Sequence, residues 1–431
     1  MIFGTRPAGG KNAGQPFLPG NGGSENFRIP CLWAGSRGVL YAAADVRWDR
    51  EADGGGLDIA FSRSCDGGTT WEYSFPAWFG DNGNRYDPAS STMMDPQLTV
   101  SGDTVYLLFD LFPHGRSMLT GDGGTESRLL PGGGLDAEGR LRLRRKGETE
   151  YRFTLCGSRI LDENGLPVPG VDVSPWFDLP ASGNLFFDGA AFEVYPTSYL
   201  CLLISPDGGR TWENPRLLPG KTDAEAFLGT GPGRGLETRA GDLLFPVYNG
   251  KEASFLYSSD GGKSFCRSPS VPGTETQLVE IREGWIRMFI RNPSGFLTYA
   301  DYKRTADGYA PLAPVRTEVA LCSACMLSAV LLPEDGRGIK RIAVSSPSGV
   351  VSRDSRFGGM LRLFILHPDG TMAPEREIPI SSRDAFFAYS CLAPLSGWDL
   401  GILYEDGCIR YQGLPQGPGF SHMVFRRIAL S

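Results

Sequence analysis

The chain has 431 residues, more than one continuous hydrophobic core usually fills, so it is either several domains or an array of units that each bring a core. A formal net charge of −7 argues against nucleic acid as a partner, because phosphate contacts need concentrated Lys and Arg. With 58 Gly and 32 Pro the composition favours short strands and many turns, and no stretch reaches the roughly 18–20 apolar residues of a membrane span.

In chain order, the N-terminal MIFGTRPAGGKNAGQPF has no apolar core of an export signal, which predicts a cytoplasmic protein, or a secreted one whose leader is absent from this sequence. Short apolar runs then follow one another, each closed by Gly, Asp or Pro: VLYAAADVRW, TVYLLFDLF, SYLCLLISPDGG, GDLLFPVYNG, ASFLYSSDGG, GWIRMFIRN, GMLRLFILHPDG and DLGILYEDG. Helical periodicity is nearly absent, and no polar linker divides the chain. The pattern predicts an all-β barrel, sandwich or propeller forming one domain over residues 1–431. The basic run Arg140 to Lys146 reads as a solvated strand edge. Nine Cys are scattered; Cys322 and Cys325 have a CxxC spacing, but no second pair follows and there are only three His. Neither a zinc site nor a disulfide framework is expected, and no cofactor.

One turn repeats. Ser64-Cys-Asp66-Gly-Gly68-Thr-Thr70-Trp71 returns as Ser205-Pro-Asp207-Gly-Gly209-Arg-Thr211-Trp212 and, weakened, as Ser258-Ser-Asp260-Gly-Gly262-Lys-Ser264-Phe265. His367-Pro-Asp369-Gly370 reads as a fourth, degenerate copy. The Asp carboxylate can accept backbone N–H groups across such a turn, Gly supplies positive φ, and the aromatic packs between sheets. This resembles the Asp box, which in the families that carry it lies on the outer hairpins of propeller blades, away from the active site. The motif therefore speaks for architecture and not for chemistry.

Upstream of the first copy stands Phe27-Arg28-Ile29-Pro30, an Arg among apolar residues that needs a carboxylate or comparable partner if buried. FRIP followed by Asp boxes resembles the bacterial sialidases, and the resemblance runs from about Arg28 to Glu405. It implies a six-bladed β-propeller with an inserted β-rich segment at about 111–200, near the rim of the site. It also implies an enzyme that removes terminal sialic acid from a glycan or small sialoside with retention. In that family FRIP carries the first of three arginines that clamp the substrate carboxylate, for which a planar fork is suited. Arg291 (Trp285-Ile-Arg-Met-Phe-Ile-Arg291-Asn292) matches the second and Arg356 the third, with Arg353 as its rival. Phe386-Phe-Ala-Tyr389-Ser-Cys-Leu392 resembles the segment of the tyrosine nucleophile, and Glu275 matches the glutamate that takes its proton. Asp53, beside Gly54–Gly56, matches the general acid, with Asp49 second. Glu405 in Leu403-Tyr-Glu405 fits the carboxylate that holds the first arginine. Arg47 and Asp95 resemble residues that contact ring substituents, and Met94 a residue lining the pocket of the N-acetyl methyl.

The same residues would serve an intramolecular trans-sialidase, which excludes water and releases an anhydro sugar, or an enzyme for a deaminated sialic acid. A non-catalytic sugar-binding propeller would keep the turns and the arginines but has no use for Tyr389, Glu275 and Asp53 together.

Overall fold

The computed structural model describes residues 6–48, 53–79, 87, 89–116, 129–171, 173–174, 176, 183–321, 325–348, 356–407 and 422–430. Asp49, Arg353 and Cys322 lie outside these residues, as do parts of the segment 111–200.

The apolar runs become strands, which pair antiparallel with their sequence neighbours because the Gly- and Asp-rich turns between them are short. The first meander is Asn26–Ala34, Leu40–Arg47, Leu57–Ser64 and Thr70–Ala77, with Gly10–Ala13 paired along its outer edge. The second is Thr92–Ser101, Thr104–Phe112, Tyr199–Ser205 and Arg216–Leu218. In the third, the short pieces Gly229–Thr230 and Leu236–Glu237 both pair with Leu243–Tyr248, followed by Glu252–Ser258 and Cys266–Arg267. The fourth runs Thr276–Arg282, Trp285–Ile290, Phe296–Thr305, Gly308–Pro311, and the fifth Ser328–Leu332, Lys340–Pro347, Gly359–Leu366, Met372–Pro379. The sixth comprises Ser390–Pro394, Asp399–Asp406 and His422–Ala429.

The innermost strands touch in sequence and close a ring. Asn26–Ala34 meets Thr92–Ser101, which meets Gly229–Thr230 and Leu236–Glu237. The latter piece meets Thr276–Arg282, then come Ser328–Leu332 and Ser390–Pro394, and Ser390–Pro394 returns to Asn26–Ala34. The core lies between neighbouring sheets. Leu32, Ala42 and Phe75 of the first meander pack with Leu403 and Phe425 of the sixth, and Val330 and Leu363 of the fifth with Leu392 and Ile402 of the sixth. Gln15 fastens the join: its amide donates to the Phe425 carbonyl at 3.3 Å and accepts from the Phe425 N–H at 2.6 Å.

Each repeated turn joins the third strand of a meander to the fourth, and the same bonds form three times. Ser64 Oγ donates to Asp66 and accepts from the Gly68 N–H, both at 2.8 Å, while Asp66 accepts from the Thr70 N–H at 2.9 Å and its hydroxyl at 2.7 Å. Ser205/Asp207/Gly209/Thr211 and Ser258/Asp260/Gly262/Ser264 repeat it. The second glycine of each turn has positive φ and lies on an aromatic ring of the preceding sheet: Gly68 on Phe425, Gly209 on Phe61, Gly262 on Tyr106. A Cβ at Gly209 would stand 2.1 Å from the Phe61 ring, so glycine is required twice over. The His367 turn is different: Asp369 accepts from Thr371, two residues on, with no serine partner, although Gly370 still lies on Trp285 of the preceding sheet.

Between Thr104–Phe112 and Tyr199–Ser205 the chain builds a separate small sheet, ordered Arg159–Leu161, Phe153–Cys156, Arg142–Arg145, Phe192–Val194. The basic run thus lies on an inner strand and not at an edge. Its side chains remain solvated, with Arg142, Arg145 and Lys146 exposed, while Arg144 bonds Glu193 at 2.8 Å and Arg145 covers the Phe153 and Phe192 rings.

Candidate active site

A meander alternates direction, so the start of its first strand, the end of its second and the start of its third lie at one end. Arg28, Asp95, Glu275 and Tyr389 stand at or just before first strands. Arg47, Asp110, Tyr248, Arg291 and Glu405 stand at or just after the ends of second strands, and Arg356 precedes a third. The repeated turns occupy the opposite end. A cavity of about 190 Å³ opens among Arg28, Asp53, Asp95, Glu275, Arg291, Arg356 and Tyr389, walled on one side by Met94, Phe112, Phe227 and Tyr248.

Arg28 is buried and doubly held. Its Nε lies 3.1 Å from Glu405 Oε1 and its Nη2 3.3 Å from Oε2, the bidentate pairing that fixes a guanidinium plane. Glu405 also accepts the Ile29 N–H at 2.9 Å. The pairing with the neighbouring strand slips between Arg28 and Cys31, and Ile29 takes φ +59, costly for a β-branched residue before proline. Asp95-Pro96 repeats the device in the second meander, with φ +56 and a slip between Met94 and Gln97. Both bulges turn a pocket residue inward at the start of a first strand.

Tyr389 Oη donates to Glu275 Oε1 at 2.7 Å and accepts from Arg291 Nη1 at 2.8 Å, and Arg291 also bonds Glu275 Oε2. The Arg356 guanidinium lies 5.4 Å from the Tyr389 ring centre. Burial pushes the Tyr389 phenol well above its ordinary range; Arg291 and Arg356 oppose this and Glu275 adds to it. The phenol is therefore neutral in the free protein, with a carboxylate at hydrogen-bonding distance to receive its proton.

Asp53 sits between two arginines, 2.6 Å from Arg47 Nη1 and 3.7 Å from Arg28 Nη1. Burial raises its pKa, but Arg47 and Arg28 outweigh burial and hold it below the ordinary carboxylate value. Arg47 was expected to touch ring substituents. It is instead fully buried, does not line the cavity, and spends its guanidinium on Asp45 (2.7 Å) and Asp53. Asp45 is pushed up to about 6, by burial first, with Arg47 pulling the other way. Burial and the neighbouring carboxyls lift Asp95 well above the ordinary range, as they do Asp110.

The structure thus gathers Arg28, Asp53, Met94, Asp95, Glu275, Arg291, Arg356 and Tyr389 on one cavity, with Arg47 and Glu405 behind it. Sequence reasoning missed Asp45, Asp110, Phe112, Phe227 and Tyr248. For the two acids a signal existed, a carboxylate interrupting an otherwise apolar strand run (YAAADVRW, YLLFDLF). Cys325 is buried in one apolar cluster with Ile29, Phe386 and Tyr389. Among the described residues no cluster of three His, Cys, Asp or Glu is arranged to hold a metal ion, and no helix is long and apolar enough to cross a membrane.

No protein-family model matches the chain. It is 24% identical to the anhydrosialidase of Macrobdella decora over 89% of this chain and 58% of that protein, and 24% identical to sialidase B of Streptococcus pneumoniae over 88% and 61%. The chain thus spans about three fifths of the length of these curated relatives. Among solved structures it is similar to the intramolecular trans-sialidase of Ruminococcus gnavus in complex with oseltamivir carboxylate, with a TM-score of 0.80, 23% identity and 97% of each chain covered. A leech intramolecular trans-sialidase complexed with 2,7-anhydro-Neu5Ac superposes with a TM-score of 0.78 at 23% identity, covering 97% of this chain and 70% of that one. The all-β fold is shared with these proteins.

Proposed function

We propose that the chain is a six-bladed β-propeller sialidase, its small extra sheet an insertion in the second blade, that releases terminal sialic acid with retention through a tyrosyl-enzyme. The observation that carries this reading is the Tyr389–Glu275–Arg291 cluster, with Arg28 and Arg356 on the same cavity wall. A sialoside bears a carboxylate on its anomeric carbon. Arg28, Arg291 and Arg356 bind that group and fix the anomeric carbon over Tyr389. A neutral phenol suits the position, because an Asp or Glu nucleophile would be repelled by the substrate carboxylate.

In the first step the Tyr389 O–H proton passes to Glu275, Oη bonds to the anomeric carbon, the glycosidic C–O bond breaks, and the departing oxygen takes a proton from Asp53. In the second, Asp53 accepts a proton from water, whose oxygen displaces Tyr389, and the phenol regains its proton from Glu275. Asp53 must be protonated at the outset, although two arginines favour its anion. Substrate supplies the change: its carboxylate neutralises part of the Arg28 field, so that Asp53 takes up a proton more readily in the complex.

A second reading has support in the similarity to intramolecular trans-sialidases. There a hydroxyl of the bound sugar replaces water in the second step, and the product is an anhydro sugar. The test is turnover of an α-sialoside followed by NMR, on wild type and Tyr389→Phe. Free α-sialic acid with a loss of about 10³-fold or more in the variant is expected. An anhydro product selects the second reading. No turnover by wild type overturns both.

A further inference from the structure

A second recess, of about 150 Å³, opens where the small extra sheet meets the second meander. It belongs to the cavity end of the ring: Pro113 and His114 line it and directly follow Phe112, which walls the cavity. It also lies on the side of Asp53. The Thr92 hydroxyl donates to the Gly55 carbonyl of the Asp53 loop at 2.7 Å, and the neighbouring Ser91 hydroxyl donates to the carbonyl of Phe186, a wall of the recess. The His114 N–H reaches the same carbonyl at 2.9 Å. Phe186 and Phe187 are buried and both pack on Phe79, Phe187 edge-on at 5.0 Å. The other members of the lining keep contact with solvent. Tyr151 meets Tyr195 edge-on at 4.9 Å and has the Arg144 guanidinium 5.0 Å from its ring centre. Arg144 and Glu193 stand opposite each other on paired strands of the small sheet. Arg144 bonds the Glu193 carboxylate through Nε at 2.8 Å and Nη2 at 2.7 Å, yet the two side chains remain 29% and 25% exposed. Aromatic rings beside reachable donors and acceptors match a sugar, whose C–H groups lie on a ring while its hydroxyls take hydrogen bonds.

We propose that this recess binds the leaving glycan, the neutral sugar that carries the sialic acid, and that the small sheet thereby selects glycan leaving groups over small ones. The inference rests on the sialoside reading above. There the departing oxygen takes its proton from Asp53, so the rest of the leaving group extends from the Asp53 side of the cavity, past Phe112 and into the recess. Tyr151 supplies an aromatic ring for a sugar to lie against, Arg144 donates to its hydroxyls and Glu193 accepts from them. Binding there, remote from the reacting carbon, helps to hold the scissile bond in line between Tyr389 and Asp53. A methyl sialoside, whose leaving group ends at one carbon, gains none of this.

The experiment compares kcat/KM for sialyllactose (the faster of the α2-3 and α2-6 isomers) and methyl α-sialoside, on wild type, Tyr151→Ala and Arg144→Gln. Both leaving groups are alkyl alcohols, so the ratio reports what the additional rings touch. Wild type is expected to favour sialyllactose by about tenfold. Tyr151→Ala should lower that ratio by about fivefold and Arg144→Gln by about threefold. Glutamine keeps a polar side chain opposite Glu193, which leaves the test available if the alanine variant does not fold. Purely structural roles for these residues would lower kcat/KM for both substrates together and leave the ratio as in wild type, which overturns the proposal. So would a wild-type ratio of one or less. Wild type that turns over neither substrate sinks the sialoside reading itself, and the proposal with it.

Discussion

At one end of the ring, the defining polar contacts of the three repeated turns join residues no more than four apart. At the other end the partners come from opposite parts of the chain: Arg28 and Glu405 are 377 residues apart, Tyr389 and Glu275 are 114, Arg291 and Tyr389 are 98. The turns are exposed and nearly identical, and beyond their own bonds each takes from the rest of the molecule an aromatic ring to lie on and a few hydrogen bonds to turn backbone, such as Gly67 N–H to the Gly38 carbonyl and Gly208 N–H to the Asp103 carbonyl. The cavity end is buried, its polar contacts do not repeat from sheet to sheet, and the charges there are held by partners distant in the chain. Losing one turn should therefore be a local event, whereas losing one carboxylate at the cavity should spread.

The sharpest break is Glu405→Ala. It strands the buried Arg28 guanidinium and the Ile29 N–H at once, and should cost about 3–5 kcal/mol of stability, read by denaturant unfolding, together with most turnover. A loss no larger than that of a turn mutation would erase the distinction between the two ends. Next is Arg47→Gln. Burial raises the Asp53 pKa and Arg47 is the foremost group lowering it, so the variant's Asp53 should stay protonated to higher pH. The alkaline limb of the kcat/KM profile should then move to higher pH, in addition to a fall in the maximum. An unmoved limb would mean that Arg47 does not act through Asp53.

The smallest effect concerns the turns themselves. Hydrogen bonds from Thr70 and Ser64 hold Asp66 down to about 2, and those from Thr211 and Ser205 do the same for Asp207, against an ordinary 3.8. A lowered folded-state pKa gives stability that is present above about pH 4 and lost as pH falls through about 2. Asp45 has the opposite sign: raised from 3.8 to about 6, it favours the folded state below about pH 4 and loses that contribution as pH rises through 6. Thermal midpoints measured from pH 2 to 7 should therefore fall less steeply below pH 4 in Asp66→Asn/Asp207→Asn than in wild type. Asp45→Asn should flatten the profile between pH 4 and 6. Turnover of the turn variant near neutrality should stay within about twofold of wild type.

This contrast also governs what could be read from the sequence. The turns were legible from residues alone, because the bonding pattern is contained in eight consecutive positions and its physics is local. The strand content was legible too, since the apolar runs are short and bounded by Gly, Asp and Pro. The cavity was not legible in this way. Nothing in the neighbourhood of Arg28 names Glu405 as its partner, and nothing near Tyr389 names Glu275. They were found through resemblance of segments such as FRIP and AYSCL to a known family. Nothing in the neighbourhood of Arg47 shows that it lies buried behind the cavity, against Asp45 and Asp53. Asp110, Phe227 and Tyr248 escaped notice because an acid or aromatic in a strand run shows its side of the sheet only after the strands are paired. The basic run of the small sheet failed for a similar reason, since strand order is invisible before folding.

The bridge from Gln15 to Phe425 has a consequence for how the molecule comes into being. These residues are 410 positions apart, so the ring cannot close until nearly the whole chain has left the ribosome. Until then the nascent protein is an open arc, with Leu32 and Phe75 at one flank lacking the Leu403 and Phe425 that will cover them. Closing so long a loop is not much dearer in entropy than closing a shorter one, because the cost grows only with the logarithm of length. The delay is in time: early sheets can form as they are made, but the final latch waits for the last strand, and synthesis broken off before it would leave a sticky, unfinished circle.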